Sequence, residues 1–344
     1  MQSIRIEKDK QLLPAGAIFV DTIPTALKEL CVIRNPALKS APPTERAEKC
    51  DIFIKNNEGL PAVYVYYPWR NIVARVPSEE IYLELRTARN KNIITKEEQE
   101  TYRAARVGII GLSVGSNVIN ALVFSGGPKN LKIADYDVIE ITNLNRLRAP
   151  VFAIGMNKTD FAAQQVWELD PFSELDLWTD GVNRQTLEKF ILEPKLDVFI
   201  DEMDSLELKL LSRIVCREHR IPVVMATDNG DNVILDVERF DEEPERPILH
   251  GLVEGVDPDK IAGLAYSEWV KVATRIVDPA NLTQRMRESL SEIGKTIAAV
   301  PQLGTTATIA GSAVAYAVRK ITTKQDLKSG RYIVYLDNSN QTIK

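Results

Sequence analysis

The sequence predicts an α/β chain: a mostly parallel sheet with helices on both faces, preceded by a small α+β module. Three observations predict it. Apolar runs at 107–110, 131–134, 175–178, 197–200 and 221–226 alternate with segments of helical spacing at 115–126, 157–169, 185–192 and 205–219. These runs lack a clean in–out alternation, as expected of parallel strands covered on both faces. The first run, Val107-Gly108-Ile109-Ile110, is followed by a Gly/Ser turn, a helical pattern and a second strand ending in Asp135-Tyr136-Asp137. That is the order of a βαβ unit, and the arrangement as a whole is Rossmann-like.

Taken in order, residues 1–80 read as the separate α+β module. Ile18-Phe19-Val20 and Val63-Tyr64-Val65-Tyr66 are strands, while Pro42-Pro43 and Asn56-Asn57-Glu58-Gly59 mark loops. The main domain is 81–344. Residues 78–90 begin with Ser78 as N-cap candidate and run on as a helix, and Thr95 with Glu98 forms a capping box for a second, short helix. Later strands at 233–237 and 332–336 are expected as antiparallel additions. Residues 258–299 read as mostly helical. Residues 305–320 form an Ala-rich helix whose small residues suit close packing, including at a dimer interface.

Bulk properties exclude several classes. A chain of 344 residues buries a core without staples. The net charge of −5 gives no pull towards nucleic acid or membranes. No apolar run is long enough to span a bilayer, and the charged N-terminus has no signal-peptide core, so a cytoplasmic location is expected. The three cysteines, Cys31, Cys50 and Cys216, form no Cys-x-x-Cys pair, and their odd number and wide spacing argue against a disulfide framework. With His219 and His250 the only histidines, zinc sites and Ser-His-Asp chemistry are nearly excluded.

The chemistry concentrates between Gly111 and Lys158. The turn Gly111-Leu112-Ser113-Val114-Gly115-Ser116 opens a helix, whose free N–H groups and partial positive charge suit phosphate. Asp135, roughly 20 residues beyond the turn, is placed to accept ribose hydroxyls. Asn143, Asn145, Arg146 and Lys158 add donors and fixed charge of the kind a triphosphate requires. The strand 197–200 ends in Asp201-Glu202-Met203-Asp204, where one carboxylate suits Mg²⁺ and another caps the next helix. Arg86 and Arg89 either pair with surface acids or reach a phosphate. Cys216 reads as a packing residue and His219 as a helix C-cap.

On these residues the chain resembles the ThiF/MoeB superfamily of ubiquitin-activating-enzyme-like adenylyltransferases, over roughly residues 86–320. Arg86-Thr87-Ala88-Arg89, Asp135-Tyr136-Asp137, Asn143-Leu144-Asn145-Arg146, Gly155-Met156-Asn157-Lys158, Asp201-Glu202-Met203-Asp204 and Pro301-Gln302-Leu303-Gly304 carry the resemblance. It is also similar, through Tyr67-Pro68-Trp69 and Arg89-Asn90, to a bacterial subgroup fused with nitroreductase-like domains. The resemblance implies an enzyme that uses Mg²⁺ and ATP to adenylate a substrate carboxylate and releases pyrophosphate. It implies that Gly111, Ser113, Gly115, Ser116, Asp135, Asp137, Asn143, Arg146 and Lys158 bind the nucleotide, and that Asp204 binds the metal. Arg89 would enter the neighbouring subunit's site in a homodimer. The carboxylate would belong to a peptide, a ubiquitin-like C-terminus or a small acid, with residues 1–80 a possible peptide clamp. No cysteine lies in 226–300, where the ubiquitin-activating branch keeps its thioester cysteine, so transfer to a cysteine is not expected. The alternatives are a non-catalytic nucleotide or dinucleotide module partnering a reductase, and a scaffold.

Overall fold

The computed structural model describes residues 3–261 and 263–336; the outermost ends of both expected domains, 1–2 and 337–344, lie outside the described residues. By its contacts the chain divides into two units, 1–99 with 167–172 and 100–166 with 173–344.

The first unit contains β1 (Arg5–Glu7), β2 (Ile18–Asp21), α1 (Ile23–Arg34), α2 (Pro43–Asn56), β3 (Ala62–Tyr67), β4 (Ile72–Pro77) and α3 (Glu79–Arg86). Its strands lie in the order β1-β3-β4-β2, antiparallel except for the parallel pair β2–β4. Ile23, Leu27, Leu30 and Leu60 form a buried cluster, joined by Ile81 and Leu85 of α3. Tyr82 packs on a second cluster built on Val65, Tyr67 and Val76. The sequence places a boundary at residue 80, but this packing carries the unit on through α3 to Gln99. The helix expected over 78–90 stops at Arg86, where the Thr87 backbone and hydroxyl both donate to the Leu83 carbonyl. The capping box is present: Thr95 N donates to the Glu98 carboxylate at 2.9 Å, and Glu98 N to Thr95 Oγ1 at 3.2 Å.

After α4 (Lys96–Ala104), the second unit alternates β5 (Arg106–Ile110), α5 (Gly115–Phe124), β6 (Asn130–Ala134), α6 (Lys158–Leu169), β7 (Glu174–Trp178), α7 (Leu187–Leu192), β8 (Val198–Asp201), α8 (Leu206–Glu218) and β9 (Val223–Asn229). The strand β10 (Asn232–Glu238), the helices α9 (Pro258–Ile261), α10 (Tyr266–Val277), α11 (Gln284–Leu290) and α12 (Gly304–Thr322), and β11 (Gly330–Val334) complete it. Among the described residues the sheet has seven strands in the order β11-β10-β9-β8-β5-β6-β7. β5 to β9 are parallel, and β10 and β11 are antiparallel additions. The chain order reverses between β5 and β8, and the crevice at that switch point lies outside their carboxyl ends.

The Ala-rich helix serves the chain itself. Ala307, Ala310, Gly311, Val314, Ala317 and Val318 are buried, and α12 packs on α5, β8, β9 and β10 of its own unit. A side chain at Gly311 would strike the Asn117 backbone of α5. The small-residue stripe expected to suit a dimer contact is thus used within the unit, leaving Thr308, Ser312 and Tyr316 outward.

Candidate functional site

The turn after β5 is fixed by two close approaches. Gly111 takes a positive φ of 90°, and a side chain there would strike the Glu202 backbone carbonyl. The loops following β5 and β8 therefore touch, which requires glycine. Gly115 begins α5 with its Cα against Ile109. Ser116 is buried, and its hydroxyl donates to the Ser113 carbonyl at 3.0 Å, so it shapes the loop rather than facing the crevice.

Asp135 anchors the same loop from β6. Its carboxylate accepts Leu112 N at 2.7 Å and Asp137 N at 2.8 Å, and burial raises its pKa against those bonds and Lys158. A carboxylate offers about four lone-pair sites, so two remain for hydroxyl donors. Lys158 opens α6 and is buried. Its ammonium lies 2.8 Å from the half-exposed Asp137 and 3.8 Å from Asp135. Asn157 holds this corner: its Oδ1 accepts Thr159 N at 2.8 Å, and its amide donates to the Asp135 and Thr179 carbonyls.

Asn143 is buried, and its Oδ1 accepts Glu140 N at 3.1 Å, which shapes the loop that presents Arg146. The Arg146 guanidinium donates from Nε to Ser113 Oγ at 2.9 Å, and from Nη1 to the Thr142 carbonyl at 3.2 Å and Asn145 Oδ1 at 2.9 Å. Asn145 donates to the Gln302 carbonyl at 2.7 Å, tying this loop to the segment before α12. Asp204 and Asp228 bear electrostatically on Arg146.

The acids after β8 divide in role. Asp201 is fully buried and paired with Lys209 at 2.8 Å and with Arg213. Burial alone would raise it, but the two cations hold it below its ordinary value. Arg213 also meets buried Glu238 at 2.5 Å, so this is a closed structural network. The Glu202 carboxylate accepts Ala226 N at 3.1 Å and burial pushes it well above its ordinary value. Asp204 is exposed at the crevice, and Ser205 caps α8 by accepting Leu208 N. His219 is the C-cap of α8 and Cys216 is fully buried within it. The crevice side also holds Asp228, which no sequence pattern marks out. Burial pushes its carboxyl up to about 6 despite the Gln302 amide and Arg146. Thr227-Asp228-Asn229 look like turn residues, but β9 continues through them to pair with β10. The hairpin is what brings Asp228 to the sheet's carboxyl edge.

In the first unit, Arg86 pairs with buried Asp170 at 3.0 Å. Arg89 is exposed in the turn after α3. A cavity of about 390 Å³ in the second unit lies between α5, α12 and residues 144–148, with Asn117, Asn145, Arg146 and Thr308 on its walls. Among the described residues no helix is long and apolar enough to cross a membrane.

The strand order, the glycine-pinned turn and the cations facing it define a Rossmann-type α/β protein with an anion-ready loop at its switch point. The chain belongs to the ThiF family, which matches residues 86–344. It is 40% identical over 268 residues to the uncharacterised Mycobacterium tuberculosis (strain CDC 1551 / Oshkosh) protein MT1398, covering 78% of this chain and 37% of that one. It is 21% identical over 222 residues to ubiquitin-like modifier-activating enzyme 5 of Bombyx mori, covering 61% of this chain and 52% of the relative. The chain thus spans about a third to a half of these relatives. Among solved structures, Escherichia coli MccB with AMPCPP and MccA superposes with a TM-score of 0.51 at 15% identity. That match covers 92% of this chain and 85% of MccB, and shows a shared fold.

Proposed function

We propose that the protein is a Mg²⁺- and ATP-dependent adenylyltransferase that activates a substrate carboxylate and releases pyrophosphate. The observation that carries this is the pair of cations at the Gly111–Ser116 turn, Arg146 bonded to Ser113 and Lys158 beside the Asp135 carboxylate that accepts Leu112 N, with exposed Asp204 just beyond the adjoining strand end. In this reading the turn's N–H groups and Arg146 take the phosphates. Lys158 exchanges Asp137 for the α-phosphate, and the spare lone pairs of Asp135 accept ribose hydroxyls. Charge developing on the α-phosphate as the carboxylate attacks is met by fixed cations, and no protein nucleophile is required.

The donor set suits Mg²⁺, which takes one or two carboxylates and completes its shell with water and phosphate oxygens. Asp201 is committed to Lys209 and Arg213, so Asp204 would hold the ion. Bound there, Mg²⁺ supplies charge neutralisation on the departing pyrophosphate. Family membership and the ATP or AMP named in the solved MccB and tRNA threonylcarbamoyladenosine dehydratase complexes support the nucleotide.

A peptide carboxylate is favoured over a small acid by the first unit. β2 is an edge strand whose Ile18, Phe19 and Val20 are all exposed. Ile18 and Thr22 donate their N–H groups to the Asn71 and Arg75 carbonyls, so alternation turns those of Phe19 and Asp21 outward. An extended peptide adds to such an edge. Beside it lies a cavity of about 520 Å³, floored by Ile72, Ala74 and Val76 and rimmed by Thr25, Glu29 and Arg70. MccB, crystallised with MccA, supports the same choice. In a homodimer, the partner subunit's Arg89 would complete the phosphate site.

ATP–pyrophosphate exchange with candidate peptides and small acids tests the proposal. Exchange should require both Mg²⁺ and a carboxylate and vanish in Lys158→Ala and Asp204→Ala. Absence of ATP binding by calorimetry would overturn it in favour of a dinucleotide module.

A further inference from the structure

Cys31 and Cys50 sit far apart in sequence but side by side in the first unit. Cys31 is on the buried face of α1, at 0% exposure, and Cys50 is on α2, partly open to solvent. The Cys50 thiol donates to Cys31 Sγ at 2.8 Å. A disulfide needs the two sulfurs at about 2.05 Å, so roughly 0.8 Å of further approach separates them from a bond. Phe53 and Ile54 pack α2 onto the cluster formed by Ile23, Leu27 and Leu30, which holds the helices in this register.

We propose that Cys31 and Cys50 form a reversible disulfide between α1 and α2, made by exchange with a low-molecular-weight disulfide. This inference is independent of the adenylation reading. Cys50 is the entry point because a reagent reaches it directly. Its thiolate attacks one sulfur of the external disulfide; that bond breaks, and one external thiolate leaves and takes up a proton. The Cys31 sulfur then attacks Cys50 Sγ, the bond to the external sulfur breaks, and the departing external thiolate takes up the Cys31 proton and leaves as the second external thiol. Two protein thiols become one disulfide as one external disulfide becomes two thiols, a balanced two-electron exchange. Burial, and then the Cys50 contact, push the Cys31 thiol up to about 11, so the second step depends on proximity rather than on a ready thiolate.

The bond has a place to act. The exposed α2, none of whose residues is fully buried, is pinned across the back of α1. The other side of α1 carries Thr25, Ala26 and Glu29 into the 520 Å³ cavity. Oxidation braces one wall of that cavity without filling it. Cys216, fully buried in α8 with its thiol raised well above the ordinary range by burial, is the internal control.

The full chain, purified reduced, is incubated with oxidised glutathione, and its thiols are counted under denaturing conditions by maleimide mass shift. The expected result is loss of two of the three thiols within a single chain, a linked peptide pair containing Cys31 and Cys50, and a free Cys216. The melting temperature of the first unit should rise by about 10 °C and return on reduction. Cys50→Ser, at a partly exposed position, should fold normally and show neither the link nor the shift. Retention of all three thiols, a stable glutathione adduct on Cys50 alone, or links only between chains would overturn the proposal.

Discussion

Arg146 and Ser113 are joined by a 2.9 Å hydrogen bond from Nε to Oγ, and this bond ties the turn after β5 to the loop that follows β6. Ser113 stands where a glycine-richer loop would leave the backbone bare. Here its hydroxyl aims a guanidinium whose Nη1 is already fixed by the Thr142 carbonyl and Asn145. If Arg146 meets the phosphates, Arg146→Ala should lower ATP–pyrophosphate exchange by about 10²–10³-fold. Ser113→Ala should cost only about 10-fold, since it removes the aim and not the charge. Arg146→Lys should fail to restore the rate, because an ammonium cannot serve all three partners from one plane. Equal losses in Ser113→Ala and Arg146→Ala would sink this division of labour.

Asp228 gives a pH signature in the nucleotide-free protein. Burial raises its carboxyl from 3.8 to about 6, so the folded state binds the proton more tightly than the unfolded state does. Stability therefore falls as pH rises from about 4 to about 6, and the whole penalty is present above that window. Each pH unit between those two values is worth about 1.36 kcal/mol, so the ionised carboxylate costs about 2–3 kcal/mol. Asp228→Asn carries no such charge. It should be more stable than the parent by about 2 kcal/mol at pH 8 in urea unfolding, with the gap closing towards pH 4.5. A gap independent of pH would show that Asp228 is not the titrating group.

Much of this architecture is legible because local and tertiary preferences agree. The strand–turn–helix–strand order from Val107 to Asp137 shows in sequence because buried parallel strands are apolar throughout and the turn between them demands glycine at 111. The Thr95–Glu98 capping box shows because it is satisfied within four residues. What the sequence conceals depends on distant partners. Asp228 and Asn229 have weak strand propensity, and only pairing with β10 makes them strand. The Cys31–Cys50 contact depends on how α1 and α2 pack, which no spacing rule encodes. The α12 stripe looks equally fit for a partner or for α5, and the structure gives it to α5. Of the site, Asp135, Arg146, Lys158 and Asp204 fall along one sheet edge of the second unit. Asn143 and Ser116 are turned to loop architecture, and Arg89 stands in the first unit.

The buried network behind the crevice should be the most sensitive structural feature of the second unit. Arg213 is fully enclosed between Asp201 and Glu238. Arg213→Ala leaves Glu238 uncompensated and Asp201 with Lys209 alone, and should destabilise by about 3–5 kcal/mol. Replacing both ends of one pair, Arg213→Met with Glu238→Leu, should recover part of that loss, because no orphaned carboxylate remains at 238. Thermal unfolding of the two variants decides it. A double variant no better than Arg213→Ala would mean that packing, not charge, dominates there.

The peptide reading makes a demand on the first unit that a small-acid enzyme would not. Ala74 lies on the cavity floor, on the same sheet face as its register partner Val20. A larger side chain there fills space that a bound peptide's side chain would need, while leaving the outward-facing edge of β2 intact. For whichever peptide supports exchange, Ala74→Phe should raise KM by about 10-fold or more and leave kcat near the parent value, the mark of lost binding that is equal in ground and transition states. Backbone N-methylation of the docking stretch of that peptide should do the same, since it removes donors that strand addition requires. Lys158→Ala should instead lower kcat for any substrate. If Ala74→Phe lowers kcat and leaves KM alone, or if only free small acids support exchange, the cavity beside β2 is not where the substrate is held.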